Sequence, residues 1–240
     1  MSSISLSRNL TIKISNILDN WLPPIIRDSK YFVYLPFKYL FRDKANIFFT
    51  FKQKAPYMSE AEYVKLYQEI DPYLIQRETS LNVECIHATI KSVIGQKVLE
   101  VGCGNAFLAK KLSKRYSLTG VDILVDTSTR RENGHIQFIN ANAEHLPFGK
   151  NSFDTTICTH TLEHVLNFEK AVAELRRVTR KRLIIVVPMQ KPFKYTFDLH
   201  LRFFPFIESF LLALKDIVSP PKNFVCKILD GDIFYYEDRY

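Results

Sequence analysis

Long hydrophobic runs are missing from this 240-residue sequence. No stretch of about 18 uncharged apolar residues occurs, so the sequence predicts no transmembrane helix. The first residues also lack a basic segment followed by an apolar segment, which is the usual pattern of a secretory signal. We therefore expect a cytoplasmic protein, either free or peripheral to the inner face of the membrane.

Glycine and cysteine are scarce, with seven glycines and four cysteines in the chain. Each glycine is therefore expected where the backbone needs a conformation or a close approach that a side chain would prevent. The cysteines form no C-x-x-C pair, and their spacing is not that of a zinc site. We expect reduced, mostly buried thiols and no bound metal; the thiols are Cys85, Cys103, Cys158 and Cys226.

The rest of the composition is that of an ordinary globular protein, with 47% apolar and 24% charged residues. This excludes a disordered or collagen-like chain. The formal net charge of +8 is unevenly placed, because residues 1–58 hold nine lysines and arginines against three acidic residues. The same segment is rich in aromatics. Apolar residues follow helical spacing from Leu6 to Trp21, and Pro23 and Pro24 end this predicted helix.

Residues 1–94 are interpreted as a helical, basic and aromatic extension, and residues 95–240 as the main domain. Three interpretations of the basic segment stay open. Its aromatic residues can pack as a cap on the main domain. Its interleaved basic and aromatic residues can rest on an anionic membrane surface. They can also bind the phosphates of a ligand or of a nucleic acid.

Strand-like and helical segments alternate in the middle of the chain. Short β-rich runs cover 97–101, 118–122, 136–139, 153–158 and 182–187, and helical spacing covers 105–116 and 168–179. This order predicts an α/β fold with a doubly wound, mostly parallel, Rossmann-like sheet. Ligands of such sheets bind beyond the C-terminal ends of the strands. Near the end of the chain, Asp230-Gly231 between two strand-like runs predicts an antiparallel hairpin.

The turn after the first predicted strand is the most informative motif. It contains Glu100, Gly102, Gly104, Ala106 and Phe107 in the run Val-Leu-Glu-Val-Gly-Cys-Gly-Asn-Ala-Phe. The glycines allow a ligand to approach the backbone, and the helix that follows offers free N–H groups to an anion. A dinucleotide site would have glycine where Phe107 stands. The motif therefore argues against a nicotinamide enzyme.

Two more polar residues follow strands of the predicted sheet. Asp122 ends the second strand, twenty residues after Gly102, and a carboxylate there can accept the two hydroxyls of a ribose. Asn142 follows the third strand in the run Asn-Ala-Glu-His-Leu-Pro-Phe. Its amide can pair with the edge of an adenine. Together with the glycine turn, these residues favour a nucleoside site.

Residues 97 to about 187 resemble a class I S-adenosylmethionine-dependent methyltransferase of the methyltransferase type 11 family. The resemblance is carried by the glycine turn, the strand end at Asp122, Ala-Glu-His-Leu-Pro-Phe, Ser-Phe-Asp, and Leu-Glu-His-Val at 162–165, in this order. The chain departs from the family pattern at Ala106, where glycine is common, and at Asn142, where aspartate is usual. The resemblance implies a seven-stranded sheet that ends in an antiparallel pair, and S-adenosyl-L-methionine as the cofactor.

The resemblance also implies a role for each residue of the cofactor site. Glu100 would orient the methionine amine, Gly102 and Gly104 would line the methionine and ribose, and Asp122 would hold the ribose hydroxyls. The adenine would contact Ile123, Asn142 and Ala143, and the methionine side would be closed by Thr159 and His160.

The implied reaction is an in-line displacement at a sulfonium methyl, in which the protein mainly aligns the reactants. A general base is needed only for a hydroxyl or a protonated amine acceptor. The candidate bases are His160, His164 and His200, of which His160 and His200 are the predicted catalytic residues. On a helix, His160, Glu163 and His164 would share one face and could instead bind a divalent metal; we predict no metal.

The sequence thus predicts a methyltransferase that acts on a small molecule, a sugar or a lipid-linked glycan. Residues 1–58 would shape the acceptor site and contact an anionic membrane surface. Two alternatives stay open: an RNA or protein methyltransferase that binds its macromolecule through the basic segment, and a cofactor-binding module without catalysis.

Overall fold

A computed structural model describes residue 17 and residues 21–70, 78–125, 136–195, 198–217, 221 and 223–239. The chain forms two compact units. The first contains the described residues up to 80 together with those of 191–201, and the second contains those of 81–190 and 202–240. Among the described residues, no helix combines the length and the apolar character needed to cross a lipid bilayer. The predicted domain boundary at residues 94 and 95 stays a prediction.

The described part of the first unit is helical. Its helices are α1 (Pro24–Arg27), α2 (Lys30–Phe41), α3 (Ala45–Lys54) and α4 (Glu60–Ile70), with 3-10 turns at Arg42–Lys44 and Ala55–Tyr57. Helix α2 buries Val33, Phe37 and Phe41, which lie four residues apart on one face. Phe37 stacks on Phe49 of α3 with ring centroids 4.7 Å apart. The predicted helix from Leu6 to Trp21 lies almost wholly outside the described residues.

The second unit is built on a seven-stranded sheet. Its strands are β1 (Lys97–Val101), β2 (Ser117–Asp122), β3 (Gln137–Asn140), β4 (Phe153–Thr159), β5 (Thr179–Pro188), β6 (Phe224–Leu229) and β7 (Asp232–Asp238). The order is β3-β2-β1-β4-β5-β7-β6, in which β1 to β5 are parallel and β7 is antiparallel to both neighbours. The predicted doubly wound sheet and its antiparallel hairpin are confirmed.

Both faces of the sheet are covered. All seven residues of β4 are buried. Alternate residues of β5 enter two separate core clusters, with Leu183 and Ile185 in one and Ile184 and Val186 in the other. This two-sided burial explains why β5 is a nearly continuous apolar run in the sequence.

Within the described residues of the second unit, four helices accompany the sheet: α5 (Val83–Ser92), α6 (Phe107–Leu112), α7 (Phe168–Val178) and α8 (Ile207–Lys215). Asn82 and Asn167 cap α5 and α7, since each side-chain oxygen accepts a backbone N–H of the first turn. Helix α6 is shorter than the predicted 105–116. It begins at Phe107 because Ala106 holds a left-handed φ of 58°.

Two long-range features hold the C-terminal hairpin. Asp230 and Gly231 both have positive φ, 43° and 83°, which is the turn predicted from this dipeptide. Arg176 of α7 donates to both carboxylate oxygens of Glu237 of β7, at 2.9 and 2.7 Å, and both side chains are fully buried. The ion pair therefore joins a helix to the antiparallel strand inside the core.

Candidate functional site

The candidate site lies at the carboxyl ends of β1, β2 and β4. The glycine turn leaves β1 and folds over the end of β2, because the N–H groups of Gly102 and Cys103 donate to Val121 O at 2.7 and 3.0 Å. Asp122, the last residue of β2, then accepts from Gly104 N at 2.8 Å and from Leu124 N at 3.1 Å. The same carboxylate that is predicted to hold a ribose therefore also shapes the glycine turn.

The two glycines of the turn differ in what surrounds them. Gly102 has a φ of 76°, and a Cβ there would lie 1.8 Å from Thr161 Oγ1. Gly104 has a φ of 46°, and a Cβ there would meet no atom within 4 Å. The first glycine thus allows the loop after β4 to pack on the turn. The second lies beside open space in which a ligand can approach the backbone.

Glu100 is buried beneath this turn, with 3% of its surface exposed. Burial raises the pKa of its carboxyl group to about 8, since water is removed from the charged form; the N–H of Ala109 opposes the shift and the charge of Asp122 adds to it. Among the described residues Glu100 Oε2 has no hydrogen-bond partner. An ammonium group placed beside it would supply the missing donor, so this residue fits the methionine amine that the resemblance implies.

The predicted adenine contacts gather near Asp122. Ala141 N donates to Asp122 O at 3.0 Å, which brings the segment after β3 to the end of β2. Asn142 Oδ1 accepts from Glu144 N at 2.9 Å, so one lone pair of the amide oxygen is already used in a local turn. Ala143 is buried and Ile123 is half-buried. These residues and Asp122 lie at one edge of the sheet, as predicted; their contacts with an adenine stay predictions.

The loop after β4 differs from the helix on which a metal site was considered. Thr159 ends the strand, His160 has a left-handed φ of 49°, and residues 162–164 form a turn. His160 N donates to Val186 O at 2.9 Å, and Thr161 Oγ1 donates to Thr159 O at 3.0 Å. The histidines and the carboxylate therefore do not share a helical face.

His160 lies between two buried carboxylates. Its Nδ1 is 3.5 Å from Glu163 Oε1, and its Nε2 is 3.4 Å from Asp232 Oδ2. Burial lowers the pKa of the imidazole, but the two carboxylates outweigh burial and raise it to about 10. The ring is therefore charged near neutral pH, where it can donate protons and cannot accept one. The predicted catalytic role of His160 stays a prediction, restricted to that of a cation or a proton donor.

Asp232 was not predicted as a site residue. It opens β7, which runs antiparallel to β5 and pairs Asp232 with Pro188 at the carboxyl end of β5. The first residue of an antiparallel strand next to a parallel one necessarily lies at this edge. The predicted turn at Asp230-Gly231 could therefore have placed Asp232 at the site, provided that the position of the hairpin in the sheet was also known.

His200 belongs to the first unit, where its Nε2 lies 3.4 Å from Asp198 Oδ2. The residue is buried, with 7% of its surface exposed. Its predicted role at the acceptor stays a prediction.

The segment before His200 is held by helices of the same unit. Arg27 donates to Pro192 O at 3.1 Å, Asp28 Oδ1 accepts from Lys194 N at 3.1 Å, and Lys52 Nζ donates to Phe193 O. Burial lowers the pKa of Lys52 to about 8, against the charges of Asp198 and Asp28. These contacts span about 140 residues or more, and no sequence pattern indicated them.

Residues 99–187 match the family model of a methyltransferase domain. The chain is 32% identical over 111 residues to the ubiquinone/menaquinone biosynthesis C-methyltransferase UbiE of Haemophilus ducreyi, covering 41% of this chain and 43% of that protein. It is 36% identical over 131 residues to the uncharacterized protein MJ0638 of Methanocaldococcus jannaschii, covering 52% and 53%. The chain thus spans about half the length of the curated relatives it matches.

Solved structures share the fold at lower identity. An S-adenosylmethionine-dependent methyltransferase of Thermotoga maritima superposes with a TM-score of 0.53 at 18% identity, covering 65% of this chain and 88% of that one. The 1,6-didemethyltoxoflavin-N1-methyltransferase of Burkholderia thailandensis, solved with S-adenosylhomocysteine, gives a TM-score of 0.52 at 15% identity, covering 64% and 76%. At these identities the likeness is one of fold.

Proposed function

Because residues 99–187 form a methyltransferase domain of the class I, S-adenosylmethionine-dependent kind, we propose that this chain transfers a methyl group from S-adenosylmethionine to a small-molecule acceptor. The single observation that carries the proposal is the pair of carboxylates at the glycine turn. Glu100 lies buried beneath the turn, and Asp122 accepts a hydrogen bond from the backbone N–H of Gly104. Acidic groups at an open glycine turn suit a nucleoside that carries positive charge.

The chain's own residues mainly bind and align. When bound, S-adenosylmethionine supplies an electrophilic methyl group on a positively charged sulfur. Glu100 would accept hydrogen bonds from the amine. Asp122, which accepts from Gly104 N and Leu124 N, would also accept those of the ribose hydroxyls. Together they would fix the nucleoside at both ends, so that the methyl group meets the acceptor in line.

The acceptor proton sets a further condition on the site. Since the two carboxylates raise the pKa of His160 to about 10, its ring would not remove a proton from an acceptor at neutral pH. His200 is kept as the candidate base, and a carbon acid or an acceptor that ionises in solution would need none. The acceptor is a small molecule, a sugar or a lipid-linked glycan.

The test is incubation of the purified chain with methyl-labelled S-adenosylmethionine and fractionated cell extract. We expect label in a small-molecule or lipid fraction. Label confined to RNA or protein would replace the proposed acceptor by a macromolecule. Tight cofactor binding with no labelled fraction would overturn methyl transfer in favour of a binding module.

The first unit carries an exposed apolar surface that supports membrane contact. Tyr31, Leu35 and Tyr39 follow one stripe of α2 at four-residue spacing and are 93%, 73% and 84% exposed. Trp21 and Ile25 are 82% and 83% exposed just before it. We call these five residues the aromatic surface. Trp and Tyr are the residues that favour the water–lipid interface.

The charges around the aromatic surface favour anionic lipid as its partner. Lys30, Lys38 and Arg42 are exposed on or next to α2. The only acidic residue between 21 and 42 is Asp28, and its carboxylate accepts a hydrogen bond from Lys194 N. Each cation near an anionic surface contributes about 1 kcal/mol. We propose that α2 lies in the plane of such a surface.

Vesicle flotation tests this contact. The intact chain is expected to float with phosphatidylglycerol-containing vesicles and not with pure phosphatidylcholine, and added salt should release it. Tyr31→Ser, Leu35→Ser and Tyr39→Ser together should abolish flotation. The matched control removes three exposed apolar side chains of the second unit, Phe206→Ser, Leu212→Ser and Ile228→Ser. Equal flotation of both variants, or a dimer that only the first variant breaks, would overturn the proposal.

A further inference from the structure

Three ionisable side chains meet in the interior of the second unit. They are His160 and Glu163 from the loop after β4, and Asp232 from the start of β7. The side chains of Glu163 and Asp232 are 1% and 6% exposed, and that of His160 is 15% exposed. Burying charges is unfavourable unless opposite charges are paired and held by further hydrogen bonds. The cluster therefore needs further hydrogen bonds to hold its carboxylates in place, and the structure contains them.

Asn82 provides the hydrogen bonds that hold Asp232 in place. Its Nδ2 donates to Asp232 Oδ2 at 2.8 Å and to Leu229 O at 2.8 Å, while its Oδ1 accepts from Cys85 N at 2.7 Å. One amide thus caps α5, holds the end of β6 and orients the carboxylate that faces His160. Asn82 is itself buried, with 3% of its surface exposed.

Thr161 connects the cluster to the glycine turn. Thr161 directly follows His160, and its side chain occupies the space that a Cβ on Gly102 would need. His160 holds a left-handed backbone conformation that is unfavourable for any residue other than glycine and needs support from its surroundings. A shift of His160 would therefore move Thr161 against the turn.

We propose that Asp232 and Asn82 are positioning residues of the methyl-transfer site, which hold the His160 ring between two carboxylates and thereby keep residues 159–161 packed on the glycine turn. The proposal rests on the proposed function. Nothing in it requires His160 to touch the acceptor. Asn82 and Asp232 lie outside the strand–turn–helix motif, and neither was among the site residues predicted from the sequence.

Asp232→Asn keeps the shape of the side chain and removes its charge. Asp238→Asn is the matched control, since Asp238 lies at the other end of β7 in an ion pair with Arg182. We expect Asp232→Asn to weaken S-adenosylmethionine binding about tenfold, because the negative charge that faces the His160 ring is lost. Asp238→Asn should lower the melting temperature without changing the affinity for S-adenosylmethionine. Asp232→Glu should keep part of the affinity that Asp232→Asn loses. Equal affinities of the two asparagine variants would overturn the proposal.

A second measurement needs no cofactor. Histidine ring NMR, with His160→Gln used for assignment, should show the His160 imidazolium persisting above pH 8 in the intact chain. In Asp232→Asn it should titrate at lower pH, with Asp238→Asn unchanged. An imidazole already neutral at pH 7 in the intact chain would overturn the proposal. If the intact chain binds no S-adenosylmethionine while this titration behaves as expected, the proposed function fails and the charge cluster stands.

Discussion

The two units of this chain place their large apolar residues differently. The second unit encloses them in two clusters on opposite faces of the sheet. The first unit buries Phe37, Phe41 and Phe48 but leaves Trp21 and Tyr39 more than 80% exposed. A sheet covered on both faces uses its apolar residues for stability. A helical unit with an exposed aromatic stripe has residues that stability does not explain, and such surfaces commonly mark interactions.

The largest expected effect is on the free energy of unfolding, and it should come from the buried ion pair of the second unit. Arg176→Met leaves Glu237 charged and without its partner in the core, so we expect a loss of roughly 3–5 kcal/mol in the free energy of unfolding. Urea denaturation measures it. Lys215→Met is the control, because its pair with Asp216 is exposed and is expected to contribute below about 1 kcal/mol. Similar losses in both variants would contradict the assigned importance of burial.

The next effect concerns the cofactor and leaves the aromatic surface untouched. Asp122→Ala should weaken S-adenosylmethionine binding by roughly 10- to 100-fold, the scale of a lost pair of charge-assisted hydrogen bonds. Part of the loss should come from the glycine turn, because Gly104 N loses its acceptor. Calorimetry measures the affinity, and vesicle flotation should be unchanged. An unaltered affinity would remove Asp122 from the site.

A pH-dependent effect is expected from the protonation of Glu100. Its folded pKa of about 8 lies above its ordinary value of 4.5. The contribution of Glu100 to the free energy of unfolding is complete below pH 4.5 and is lost as the pH rises toward 8. In this range the carboxyl group is ionised in the unfolded state but still protonated in the folded state. Glu100→Gln should therefore flatten the fall in stability across this range.

The same group gives a test of cofactor orientation. An ammonium beside Glu100 would favour the carboxylate, so binding of S-adenosylmethionine at pH 7 should release roughly one proton. Calorimetry in buffers of different ionisation enthalpy counts that proton, and Glu100→Gln should abolish its release. Binding without proton release in the intact chain would place the amine elsewhere.

In both units, the separation of interacting residues along the chain explains what could be predicted from the sequence. The strands, the glycine turn and the Asp230-Gly231 hairpin are local patterns, in which neighbouring residues define the structure. Asn82 and Asp232 are 150 residues apart, and Arg27 and Pro192 are 165 apart. Polar contacts over such separations leave no periodic signal. The helix assumed for His160, Glu163 and His164 is not found for a related reason: spacing alone does not reveal that His160 leaves the helical conformation.

The smallest effect on stability should come from the aromatic surface itself. Tyr31, Leu35 and Tyr39 are mostly exposed, so their joint replacement by serine removes little buried area and should change the free energy of unfolding by no more than about 1 kcal/mol. Phe37→Ser on the opposite face of the same helix is the control; it is fully buried, and about 3 kcal/mol or more should be lost. Denaturation of both variants measures the contrast. A large loss in the triple variant would mean that these side chains are covered by protein and are not available to a membrane.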